Sequence, residues 1–213
     1  MRSTLLLTTV LTAAVSLSLA ACSTSTPADE QPESSRVPAA AATASGTEPG
    51  TRLEHGDAAT LVWQPARDVT GELELSVDAV VGKWPGVFDG WVGGEAAGDA
   101  RPYFVTVTVA NVGESGLGGQ DVPLYLRDTR GTLGAPWTLG GDFTPCQSGP
   151  LPEPFEPGDE TEMCLVYLVP DGGRVRDLVF EPTEGYDPIT WTGEVREPRT
   201  RDERRDDRRD DRG

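Results

Sequence analysis

Between its two ends this chain gathers its apolar residues in short runs read with a period of two, and that argues against a helical core. In residues 71–81, GELELSVDAVV, Leu73, Leu75, Val77 and Ala79 alternate with Glu72, Glu74, Ser76 and Asp78, as in a strand with one wet face. In 103–113, YFVTVTVANVG, Tyr103, Val105, Val107 and Val109 share one face, while Phe104, Thr106 and Thr108 share the other. In 162–170, EMCLVYLVP, Met163, Leu165, Tyr167 and Val169 stand opposite Cys164, Val166 and Leu168. Further strands are read at 122–128 (VPLYLRD, closing on an Asp128-Thr129-Arg130-Gly131 turn), 176–182 and 189–195, with a first one at 60–63. No stretch carries a 3.6-residue period, and 25 glycines and 18 prolines punctuate the chain. The expected fold is all-β: an immunoglobulin-like antiparallel β-sandwich of about 6–8 strands over residues 58–195.

The ends are of another kind. Arg2 is the only charge before Asp29, and an apolar run from Leu5 to Leu19 follows it. That run is shorter than the roughly 20 residues a membrane-spanning helix needs. A basic start, a short apolar middle and a small-residue end make residues 1–21 a cleaved secretory signal. Leu19-Ala20-Ala21-Cys22 resembles a bacterial lipobox, which implies cleavage between Ala21 and Cys22 and diacylglyceryl attachment to the Cys22 thiol. Two or three acyl chains anchor stably where one is marginal. Residues 22–57 read as the lipidated cysteine followed by a disordered linker, because 23–50 hold hardly a large apolar side chain to offset the entropy of ordering. Residues 196–213 carry eight arginines against seven acids, with like charges at i and i+4 and no apolar face, and read as a disordered polyampholyte tail.

The body is acidic. From residue 51 to 195 there are 24 acidic and 8 basic residues, a net of −16. Nucleic-acid binding needs Lys and Arg to neutralise phosphates, so the balance argues against that class. Docking on anionic headgroups is disfavoured too, leaving the lipid on Cys22 as the tie to the membrane. With Cys22 lipidated, Cys146 and Cys164 are the pair available for a disulfide in an oxidising exterior.

Residues 102–113 (PYFVTVTVANVG), 122–131 (VPLYLRDTRG) and 154–170 (PFEPGDETEMCLVYLVP) together resemble the immunoglobulin-like, telokin-like domains of unknown function found in bacterial secreted lipoproteins. The resemblance covers roughly residues 70–182. It implies an immunoglobulin-like sandwich in an extracytoplasmic, often tethered, setting, and it supplies no catalytic residues. Local chemistry accompanies it: Asn111 and Gly113 suit left-handed backbone at a strand end, Pro157-Gly158 suits a tight turn, and Pro170 ends ladder pairing.

Catalysis is poorly supplied. His55, the sole histidine, falls at the edge of the expected linker, and no G-x-S-x-G accompanies it. Glu54, His55 and Asp57 make a weak metal site by composition, and neither a metal nor a cofactor is expected. Residues 82–99, GKWPGVFDGWVGGEAAGD, combine six glycines with Trp84, Phe88 and Trp91. Two readings stand: the rings grip a partner, such as an envelope protein or a glycan, or they fold back and plug one end of the sandwich. Trp63, Trp137 and Trp191, in or beside strands, are expected in the core. The sequence thus points to a non-enzymatic, lipid-anchored binding module outside the cell membrane. The alternatives are an extracytoplasmic enzyme such as a carbohydrate hydrolase, or a structural spacer with no ligand.

Overall fold

The structure, a computed structural model, describes residues 46–139 and 143–198. Among these residues ten strands form two sheets. One sheet sets β1 (Arg52–Glu54), β9 (Ile189–Thr192), β8 (Val175–Phe180), β5 (Tyr125–Asp128) and β6 (Leu133–Gly134) side by side. The other runs β10 (Val195–Arg196), β3 (Val69–Gly82), β4 (Arg101–Asn111) and β7 (Glu160–Val169), and β2 (Ala58–Ala66) pairs with the first half of β3. The two sheets face each other as a β-sandwich.

The alternating residues make the core. Leu73, Leu75 and Val77 of β3, Tyr103, Val105, Val107 and Val109 of β4, and Leu165 and Tyr167 of β7 pack against Leu178, Phe180, Ile189 and Trp191 of the other sheet. Each is 2 % exposed or less, so each contributes on the order of 1.5–3 kcal/mol of burial. The Tyr167 hydroxyl, a polar tip deep in this layer, is matched: it donates to the Leu124 carbonyl at 2.8 Å.

Four expectations change. Ala79 does not continue the inner face of β3. A bulge at Asp78 shifts the pairing with β4 between Val77 and Ala79, so Val80 is buried in its place. The bulged carboxylate is held outside, accepting from the Ser76 hydroxyl (2.7 Å) and the Thr108 hydroxyl (2.8 Å). Second, the sheets are not wholly antiparallel. The pairs β1–β9 and β10–β3 are parallel, because the chain leaves β9 at Gly193 and crosses to the other sheet without turning back. Third, Asn111 and Gly113 keep negative φ. Asn111 is buried and acts through its side chain, donating to the carbonyls of Ser115 (2.9 Å) and Phe155 (3.2 Å) and accepting from the Gly113 amide. Gly158 does take φ +89°, as the Pro-Gly turn requires.

The fourth change is the domain boundary. Residues 46–57, expected as linker, belong to the sandwich: β1 pairs with β9, and the buried Trp191 indole donates to the Asp57 carbonyl at 3.0 Å. Arg196, expected in the tail, lies on β3, and Glu197 pairs with Arg101. The expected signal, Ala21–Cys22 cleavage point and Cys22 anchor, and the expected tail from 199 to 213, lie outside the described residues.

Candidate functional site

The inner faces of β4 and β7 are spent on the sandwich core, yet the outer face of β7 from Cys164 to Leu168 is apolar as well, with Phe104 of β4 beside it. Phe104, Cys164, Val166 and Leu168 point away from the core, and a sheet face of that kind must be covered. Two loops cover it and build a second hydrophobic cluster with Phe88, Ala97, Leu139, Phe143 and Cys146.

The first cover is the glycine-rich loop after β3. Lys83 still donates to the Pro102 carbonyl at 2.8 Å, then two short 3-10 turns, Pro85–Phe88 and Gly94–Ala97, fold the loop over the sheet. Gly90, Gly93 and Gly98 adopt φ of +80°, +98° and +52°, a backbone that side-chain-bearing residues rarely take. The second cover is the loop before β7. The Trp137 amide donates to the Val166 carbonyl (2.6 Å), and the Ser148 hydroxyl accepts from the Val166 amide (2.9 Å), so this loop supplies partners to the edge of β7. A disulfide between Cys146 and Cys164, with Cα atoms 5.3 Å apart, fixes it to the strand.

Aromatic rings join the two covers. Phe88 lies 5.2 Å from Phe143 and 5.5 Å from Trp137 between ring centroids, the latter edge-on. Trp91 meets Phe143 at 5.6 Å, and Phe143 in turn meets Phe104 at 6.1 Å. These are favourable edge and tilted geometries. The expected contact trio of Trp84, Phe88 and Trp91 is therefore divided. Phe88 is buried and Trp91 half-buried, both turned onto the outer face of the sheet and not into the end of the sandwich. Trp84 alone stays out, 50 % exposed. Val92, at the loop tip and 91 % exposed, is an apolar surface residue with no signal of its own in the sequence.

Beside Trp84 lies an open groove of about 650 Å³, with Val81, Lys83, Val87, Glu197 and Pro198 among its walls. The Lys83 ammonium sits 5.0 Å over the Phe104 ring, and so closes the edge of the aromatic cluster. Glu197 is held by Arg101, whose guanidinium lies 5.5 Å over the Tyr103 ring. Burial, first among several influences, pushes the Tyr103 phenol above its ordinary value.

Away from this loop, His55 is ordered, contrary to expectation. Its amide donates to the Thr192 carbonyl at 3.0 Å, and its ring packs over Gly193. Burial lowers the imidazole pKa, against a backbone hydrogen bond at Glu194 that raises it. Asp57 accepts from the Glu54 amide at 2.9 Å, which makes these residues a turn between β1 and β2. Among the described residues no group of three or more His, Cys, Asp or Glu side chains is arranged to hold a metal ion.

The class these features define is a two-sheet β-sandwich carrying a second apolar layer on one outer face, locked by a disulfide. No protein-family model and no curated protein sequence matches the chain. Among solved structures, MPT63, a secreted protein from Mycobacterium tuberculosis, aligns at 13 % identity with a TM-score of 0.42, over 66 % of this chain and 95 % of that one.

Proposed function

We propose that the protein is a non-enzymatic binding module, anchored by lipid on Cys22 outside the cell membrane, with the outward side of residues 82–99 as its contact surface. The observation that carries this reading is the exposure of Trp84 on a loop whose other aromatic rings are packed. Phe88 and Trp91 of the same loop are packed on the sheet, so the indole is presented from a loop held in place and needs little ordering on binding. Trp84 and Val92 supply apolar area, and the exposed Asp89 and Glu95 of the same loop supply polar contacts, a mixture suited to an envelope protein or the ring faces of a glycan. The anchor rests on the sequence alone, on the cysteine that follows Leu-Ala-Ala directly after the apolar run.

Photocrosslinking on intact cells tests the contact surface, with a photoreactive aromatic at position 84 and, as a control, at position 88. A discrete adduct from position 84 and none from 88 is expected. Adducts confined to the chain itself from both positions would overturn the binding reading in favour of a spacer. The anchor is tested separately: Cys22→Ala should release the protein from the membrane fraction or stall its processing, and unchanged membrane retention would refute it.

A further inference from the structure

We infer that the groove beside Trp84 is filled by the chain's own C-terminal segment, entered by Arg199 with its guanidinium laid on the Trp84 ring. The direction of β10 carries this. It runs parallel to β3, with Val195 opposite Val80 and Arg196 opposite Val81. Continued residue for residue, that register brings Glu197 to Gly82 and Arg199 to Trp84. The described residues follow this course: a Cβ on Gly82 would stand 2.9 Å from the Glu197 carboxylate, and the Pro198 ring lies beside the same position at 3.2 Å.

The track does not bend away before Trp84. Lys83 remains bonded to β4, and Trp84 itself has extended backbone at φ −75° and ψ 144°. On the other side Pro198 holds Glu197 in the extended region and fixes its own φ, so the chain is aimed along the groove that both residues line. Beyond Pro198 the chain reads RTRDERRDDRRDDRG, fifteen residues with arginine at the first and third positions. A guanidinium stacks on an indole face better than any other charged side chain, and Lys83, the chain's one lysine, is committed to Phe104. The acidic body favours the same arrangement. The inference stands whether or not an external partner exists; a partner that takes Trp84 has to displace Arg199.

The test is the indole N–H resonance of Trp84 in the full chain, assigned by its loss in Trp84→Phe. Ending the chain after Pro198, which keeps β10 and the Arg101–Glu197 pair, should move this resonance by more than its line width. Arg199→Ala should reproduce the shift, while Arg212→Ala leaves it in place and the Trp191 resonance reports an intact fold throughout. An unmoved resonance in the shortened chain would overturn the docking. A shift on shortening that Arg199→Ala does not reproduce would overturn the stacking on Trp84. A resonance that follows protein concentration and not the tail would assign the groove to a second copy, and would also refute the inference.

Discussion

Trp91 stands edge-on to Trp137, with 6.0 Å between ring centroids and 82° between planes, and this contact ties the loop after β3 to the loop before β7. The second loop is in turn held to β7 by Cys146–Cys164. One disulfide therefore secures two loops, the nearer through a covalent bond and the farther through rings.

Replacing both cysteines by serine should cost about 3 kcal/mol in urea unfolding, the chain-entropy value for a loop closed over a separation of 18 residues. The loss should be local as well as global. Hydrogen exchange is expected to quicken at Trp137 and Val166, whose amides bond across the loop, before it quickens at Val107 in the sandwich core. Uniform quickening would contradict a separate second layer.

Asp128 governs the hairpin between β5 and β6. Burial raises its carboxyl pKa, but the Thr132 amide and the Arg130 guanidinium and amide, all donating to it, outweigh burial and leave it lowered. An acid lowered in the folded state stabilises above its unfolded value of about 3.9 and loses that contribution as pH falls through the folded value. Asp128→Asn should lower the melting temperature at neutral pH and show a shallower acid decline below about pH 4. A decline as steep as that of the parent protein would show that Asp128 is not the group responsible.

His55 acts on a different pH range. Its folded pKa is lowered, so below about 6.5 the unfolded chain binds the proton more readily and stability falls with pH. Glu54, Asp78, Glu194 and Arg196 line the same cleft and are unchanged by substitution at 55. Because no other histidine is present, His55→Gln should flatten the change in melting temperature between pH 7 and pH 5. The same change in melting temperature in the parent and in His55→Gln would show that His55 is not the group responsible.

The main strands were legible because burial of one face leaves a period of two in β3 and in most of β4. The disulfide was legible once Cys22 was set aside for lipid. The Asp78 bulge was not, since it depends on hydroxyls from Ser76 and Thr108 on neighbouring positions of two strands. Nor was β1, three residues whose partner β9 lies at the other end of the domain. The fate of the loop aromatics did leave a signal. β7 is apolar on both faces, with Cys164, Val166 and Leu168 opposite Leu165, Tyr167 and Val169, and a strand of that kind needs a cover on each side. Phe104 on β4 says the same. Which rings supply the cover is a spatial matter, and spacing along the chain does not decide it.

The division of the loop into packed rings and one presented ring is measured most directly by urea unfolding of Phe88→Ala beside Trp84→Ala. Phe88 is 3 % exposed within the aromatic cluster, so its loss should cost about 3–5 kcal/mol. Trp84, half exposed, should cost within about 1 kcal/mol, as a surface side chain outside the aromatic cluster. If Trp84→Ala proves as destabilising as Phe88→Ala, the loop is fold throughout and presents no ring for contact.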